Sequence, residues 1–322
     1  MVIAILLFIV GLVLLIKGGD WFVDASTGIA HRFHLPEILI GATVVSIGTT
    51  LPEVMVSATA ALGGQGAIAY GNAIGSIICN TSLIAALTIA IRPAKIDRKP
   101  LVLPVIFFFV SAALYSAVAY FTGHFSRTVG FILLGIFTVY MIISVIQAKK
   151  SLAEASDDND EENSKGSLAK DIIMLVIGAA VIAVGARLLV DNGTIIAEKL
   201  GVPETVIALT FVALGTSLPE LVTAVTALLK GHGALSLGNI IGANLFNLVL
   251  VSGVSVALSP FAVPATAKIG GMNASLVLDI PVMFAVMLLL TVPSIIRVKL
   301  SRVQGILLLA IYAGFCAFQF VM

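Results

Sequence analysis

The residues of this chain best suited to chemistry are Glu53 and Glu220. Each closes the same short run, Gly48-Thr49-Thr50-Leu51-Pro52-Glu53 and Gly215-Thr216-Ser217-Leu218-Pro219-Glu220. Both runs lie inside long apolar stretches. A carboxylate in hydrocarbon is costly, so it faces an interior cavity and marks an ion or proton path. Proline has no N–H for the carbonyl four residues back, and its ring pushes that carbonyl aside. Pro52 and Pro219 are therefore expected to kink their helices and free the carbonyls of Gly48 and Gly215. Thr49, Thr50, Thr216 and Ser217 add hydroxyl oxygens on the same turns. Carboxylate, hydroxyl and carbonyl are hard ligands, suited to Na+ or Ca2+. Soft and imidazole ligands are missing from the helix centres, since His31, His34, His124 and His232 all fall near predicted loops.

The elements that position these groups are membrane helices. Of the 322 residues, 59% are hydrophobic and 11% charged, and the mean hydropathy is +1.14. That balance excludes an ordinary soluble domain. A net charge of +1 gives no reason to expect nucleic acid as a partner. Cys79 and Cys316 lie in apolar stretches and read as buried thiols. The apolar start of the chain has no basic leader or small-residue cleavage site and reads as a retained helix. Apolar runs at 2–29, 38–62, 66–91, 101–121, 127–147, 171–195, 205–229, 233–258, 273–295 and 301–321 each reach the length a bilayer core demands. Backbone groups in lipid must bond internally, so these runs are helices. The expected fold class is an all-α polytopic membrane protein of ten transmembrane helices.

Between the fifth and sixth runs lies an acidic linker, 148–170, with six acids between Glu154 and Glu162. It reads as a solvated connection. It lacks the ligand pattern of an EF-hand and is too short for a folded calcium sensor. Thirteen lysines and arginines fall in loops on the linker side, against three (Arg127, Lys199 and Lys268) on the other. This asymmetry predicts a cytoplasmic linker and both termini outside, in a multi-pass protein of the cell (inner) membrane. Lys17 and Asp20, and Arg187 and Asp191, have helical spacing for pairing.

A shift of 167 residues aligns 36–80 on 203–247 without a gap, with 21 of 45 positions identical. Shared glycines, prolines and asparagines in register point to duplication rather than common apolar composition. The halves are 1–147 and 171–322, each of five helices. Five is odd, so equivalent helices run in opposite directions. This gives an inverted 5+5 repeat, the plan of secondary transporters with a midplane site.

Each kinked helix is followed by one carrying Gly-Asn-x-x-Gly. In the first repeat Asn72, Ser76 and Asn80 share a face; in the second the series is Asn239, Ala243 and Asn247. The amides at Asn80 and Asn247 can offer oxygen to a cation or NH2 to a glutamate; those at Asn72 and Asn239 also suit interhelical hydrogen bonding. Two facing carboxylates repel when empty. One Ca2+, or two or more Na+, would neutralise them. If only the neutralised site can change its access, competing ions move in opposite directions and no ATP is needed. No nucleotide-binding Gly-x4-Gly-Lys-Ser/Thr run is present. A proton can replace sodium in the same scheme, so H+/Ca2+ exchange is the alternative. An intramembrane hydrolase would need a serine with a deep histidine or two facing aspartates, and neither is in place. A channel is a further alternative.

The duplicated Gly-Thr-Thr/Ser-Leu-Pro-Glu runs, followed by Gly-Asn-x-Ile-Gly-Ser/Ala and then Asn, resemble the alpha-repeats of the calcium/cation antiporter superfamily, and most of all those of prokaryotic sodium/calcium exchangers. The resemblance implies Na+/Ca2+ antiport with Na+ and Ca2+ as transported ions, no cofactor, no enzymatic activity and a single chain as the functional unit. It implies a central diamond of Glu53, Asn80, Glu220 and Asn247. It places Thr49, Thr50, Thr216, Ser217, Ser46, Ser76 and the backbone of Ala213 around neighbouring sodium sites, with the first and sixth helices sliding as a gate. Asparagine at 247, where some relatives carry aspartate, argues against potassium dependence. Ala243 in place of the serine seen at Ser76 makes the halves unequal.

Overall fold

The structure is a computed structural model describing residues 2–93, 95–156, 167–201, 215–265 and 268–321. Ten helices follow one another among the described residues: α1 Val2–Arg32, α2 Glu37–Leu62, α3 Gly66–Ile91, α4 Arg98–Thr122, α5 Arg127–Ser156, α6 Leu168–Lys199, α7 Leu218–Leu229, α8 Gly233–Leu258, α9 Ser275–Arg297 and α10 Arg302–Val321. All but α7 are long and apolar enough to cross a membrane. The first part of the seventh predicted span, with Ala213, lies outside the described residues, as do Pro203 and Glu204 just before it and 157–166 of the acidic linker. Both α5 and α6 reach into the predicted linker, α5 as far as Ser156. The segment after Ile146 is rich in Ala, Lys, Leu and Glu, which carry a helix into water at little cost.

The two halves make the same contacts twice. A shift of 167 relates α1–α3 to α6–α8, and one of 175 relates α4–α5 to α9–α10. His124 pairs with Ala262 where the α4–α5 and α8–α9 connections meet, and Lys95 pairs with Lys299 at the equivalent meeting of α3–α4 with α9–α10. Val263 N–H donates to the Gly123 carbonyl (2.9 Å), and its mate Ile96 N–H donates to the Val298 carbonyl (3.1 Å). These duplicated contacts at opposite ends of the bundle are those of an inverted repeat.

Helices α2, α3, α7 and α8 pack against one another at the centre. Close approach of α2 and α8 depends on glycine. A side chain on Gly41 would meet the Leu235 carbonyl, one on Gly238 the Ile38 carbonyl, and one on Gly242 the Ser46 hydroxyl. Around this centre α4, α5, α9 and α10 bury Phe108, Tyr115, Tyr140, Met283 and Leu290.

Helices α1 and α6 lie side by side. Their outer faces, such as Leu6, Ile9 and Val13 on α1 and Ile172, Val176 and Val184 on α6, stay exposed, as surfaces facing acyl chains do. Their seam is built of mated glycines. A Cβ on Gly11 would lie 2.8 Å from the Gly185 carbonyl, and one on Gly178, the mate of Gly11, 2.9 Å from Phe22 N.

Ion pairs gather on the linker side. Arg32 at the end of α1 meets Asp171 on α6 (3.5 Å), and Glu37 at the start of α2 meets His232 before α8 (2.7 Å). Lys230, just past α7, meets both Asp20 (3.2 Å) and Asp24 (2.8 Å) of α1. Partial burial pulls the Lys230 pKa down, but bonds to Asp24 and Asp20 outweigh it and leave the ammonium above its ordinary value. Helical spacing suggested Lys17 as the partner of Asp20; the tertiary packing brings Lys230 there instead. Arg187 and Asp191 pair as their spacing predicts (3.5 Å).

Candidate ion-binding site

Glu53 and Glu220 are both fully buried, at 0% exposure, and near enough for the charge of Glu220 to act on Glu53. Neither points to lipid. The Glu220 carboxyl lies against the hydroxyls of Thr49 and Thr50, which belong to the other repeat. Buried polar groups of both halves therefore meet here.

The local helix geometry that presents these groups is partly as expected. In the second repeat the chain turns at Thr216 and Ser217, and α7 starts regular helix at Leu218 with Pro219 in its first turn, where a missing N–H costs nothing. In the first repeat α2 keeps helical backbone through Pro52, and the irregularity sits earlier, in a wide π turn at Gly41–Val45. The kink expected at both prolines is a helix start at Pro219 and an interior position at Pro52. Equivalent π turns begin at Asn80 in α3 and at Asn247 in α8. A π turn inserts one residue and re-aims the side chains around it, and it recurs at functional sites. Composition and periodicity carry no mark of it.

Three mated pairs of side chains then share one property. The carboxylate oxygens of Glu53 and Glu220, the hydroxyls of Thr50 and Ser217, and the amide oxygens of Asn80 and Asn247 are all buried. None has a hydrogen-bond partner among the described residues. A buried oxygen left unpaired costs about 1–3 kcal/mol, more when charged. Eight such oxygens, paired by the repeat, make up a candidate cage of hard ligands. Asn247 is oriented by its own backbone, since Nδ2 donates to the Ala243 carbonyl (3.0 Å), and this turns Oδ1 away from its helix.

The remaining expected residues stand around this cage. Thr216 and Thr49 are bonded to Asn72 and Asn239. Ser46 Oγ donates to the Gly41 carbonyl (2.7 Å), which also accepts the Ser46 backbone N–H that closes the π turn. Tyr140 donates to the Ala42 carbonyl within the same turn (2.8 Å). Ser76 is buried one turn before Asn80. Ala213 lies outside the described residues.

A family model described as sodium/calcium exchanger protein matches residues 3–146 and 170–321. The chain belongs to the sodium/calcium exchanger family. An uncharacterised membrane protein of Methanocaldococcus jannaschii is 36% identical to this exchanger over 95% of its chain and 94% of the relative. A sodium/calcium exchanger of Methanosarcina acetivorans, MaX1, is 31% identical over 98% of both chains. Among solved structures, the sodium-calcium exchanger NCX_Mj soaked with Na+ and Sr2+ superposes with a TM-score of 0.81, at 33% identity over 98% of both chains. MaX1 and NCX_Mj are named as exchangers, which are transporters rather than enzymes, and this chain shares the multi-pass helical fold.

Two buried polar residues of this exchanger were not drawn from its sequence as part of the centre. Asn244 donates to Thr81 (2.7 Å) and to the Met287 sulfur (3.2 Å). Ser57 accepts from Asn72 (2.8 Å). Their mates are Ile77 and Ala224, so comparison of the repeats passes over them. The signal that points to Asn244 is a third amide in a membrane helix that already carries Asn239 and Asn247.

Proposed function

We propose that this protein exchanges Na+ for Ca2+ across the membrane by alternating access, with the cage of Glu53, Glu220, Asn80, Asn247, Thr50 and Ser217 as the shared ion site. The carrying observation is the set of eight buried oxygens without partners. Two carboxylates give the cage a charge that one Ca2+ or at least two Na+ would neutralise. Hard oxygen ligands suit both ions. Competition for the same oxygens makes transport coupled: only a neutralised centre crosses the apolar barrier between its two access states, so one ion leaves as the other enters. The glycine seam lets α1 and α6 move together as the gate. All cage oxygens come from one chain, so a single chain is a complete unit. The lysine and arginine asymmetry supports a linker on the cytoplasmic side, with both termini outside.

The test is radioactive calcium uptake by reconstituted vesicles under imposed sodium, potassium or proton gradients. Sodium-driven uptake is expected, lost by at least about a hundredfold in Glu53→Gln and Glu220→Gln with the protein still folded, the size of removing one site charge. Uptake driven by a pH gradient without sodium would replace sodium by protons in the cycle. Unimpaired uptake in both variants would overturn the site.

A further inference from the structure

Two asparagines outside the cage are arranged to set the direction of its hydroxyl ligands. Thr216 Oγ1 donates to Asn72 Oδ1 (3.1 Å), and Thr49 Oγ1 donates to Asn239 Oδ1 (3.2 Å). Asn72 and Asn239 are mates under the 167-residue shift, as are Thr49 and Thr216. Each bond crosses between repeats, from the turn before α7 to α3 and from α2 to α8. The Asn72 amide is held in one sense, because Nδ2 donates to Ser57 Oγ (2.8 Å) and to the Glu53 carbonyl (3.2 Å). Its oxygen can then only face Thr216. Asn239 Oδ1 also lies 3.3 Å from Ser46 Oγ, while its Nδ2 has no partner among the described residues.

A hydroxyl that binds a cation must present a lone pair and send its proton elsewhere. A threonine without a nearby acceptor can instead aim its proton at a carboxylate and block the ion. Building on the exchange reading above, we propose that Asn72 and Asn239 are positioning residues that take the protons of Thr216 and Thr49, so that both hydroxyls meet Na+ as acceptors only. Neither asparagine needs to touch the ion. Because each bond joins one repeat to the other, the orientation of the hydroxyl depends on the packing of both halves.

The experiment is a double-mutant cycle on sodium dependence. Asn72→Ala and Thr216→Ala are each expected to raise the half-saturating sodium concentration about tenfold, the loss of one hydrogen bond in a charged site. Radioactive calcium displacement by sodium from purified protein provides a binding readout independent of turnover. The double variant is expected within about twofold of either single one, and Thr216→Ser is expected to stay sensitive to Asn72→Ala. Multiplying effects, or unchanged sodium dependence in folded Asn72→Ala, would overturn the positioning role. If Asn72→Ala does not fold, the mirror cycle of Asn239→Ala with Thr49→Ala decides by the same criteria. Glu53→Gln, run in parallel, separates the two readings. If it abolishes exchange while the asparagine and threonine effects multiply, only the positioning role fails. If it leaves exchange intact, the site itself fails.

Discussion

Arg127 and Arg302 make the same clamp in mirror image. Arg127 Nε donates to the Ala257 carbonyl (2.9 Å) and Nη2 to Leu258 (3.2 Å); Arg302 Nε donates to Ala90 (2.9 Å) and Nη2 to Ile91 (3.4 Å). The four accepting residues are mates under the repeat. Each guanidinium takes two of the last carbonyls of a core helix, α8 or α3, where cations are favoured by the helix dipole. Three residues on, Gly130 and Gly305 let α5 and α10 lie directly against those same turns.

The clamps predict a stability effect without a direct effect on the ion site. Arg127→Gln and Arg302→Gln should each cost about 1–2 kcal/mol, from two carbonyl hydrogen bonds at about 0.5–1.5 kcal/mol apiece. Lysine should rescue little, because it lacks the planar fork. Thermal unfolding in detergent should show a fall of roughly 2–4 °C for each variant. Unchanged melting would mean the carbonyls are equally well served by water.

Val298 is expected to be a strained position. It ends α9 in the left-handed region (φ 54°), and its mate Gly123 ends α4 with φ 63°. The connection demands this turn in both halves, but only one half has glycine. A β-branched residue there costs about 1–2 kcal/mol. Val298→Gly should therefore stabilise by about 0.5–1 kcal/mol after the extra chain entropy of glycine. Gly123→Val should destabilise by a similar or larger amount. Melting temperatures of the two variants moving in the same direction would refute this.

At Gly11, Gly178 and Gly185 the α1–α6 seam leaves no room for a side chain. Gly185→Leu is expected to cost about 1–3 kcal/mol by overpacking and to reduce exchange by separating the two gate helices. Gly135→Leu is the control, since a side chain there meets nothing within 4 Å. Equal tolerance of both variants in melting and flux assays would argue against a tight seam.

Lys230 ties α7 to Asp20 and Asp24 of α1 only on the linker side. Its mate is Gly63, so the opposite side has no equivalent latch. Solvent-facing pairs are worth up to about 1 kcal/mol, and Lys230→Met should change melting by no more than about 2 °C. It should instead quicken hydrogen exchange over 25–36, where α1 ends. Exchange unaltered by the substitution would show that the pairs do not hold that end of α1 closed.

The sequence by itself determined the spans, the duplication and the chemistry. Apolar length decides which segments cross a bilayer, and the observed bounds of α3 and α8 coincide with the predicted 66–91 and 233–258. An odd number of helices per repeat decides the inversion. Glutamate after proline in hydrocarbon decides that the centre is polar. Only the tertiary structure decided how these pieces meet. The π turns at Asn80 and Asn247 leave no periodic signature, because one inserted residue does not change composition. Pro52 and Pro219 look alike in sequence, yet one sits within a continuous helix and the other lies in the first turn of one. Asp20 has a lysine at helical spacing and binds another more than two hundred residues away. Cross-repeat bonds such as Thr216 to Asn72 exist only because two separately encoded faces pack together. Local energetics select the helices, while the long-range pairings depend on packing that no single window of residues contains.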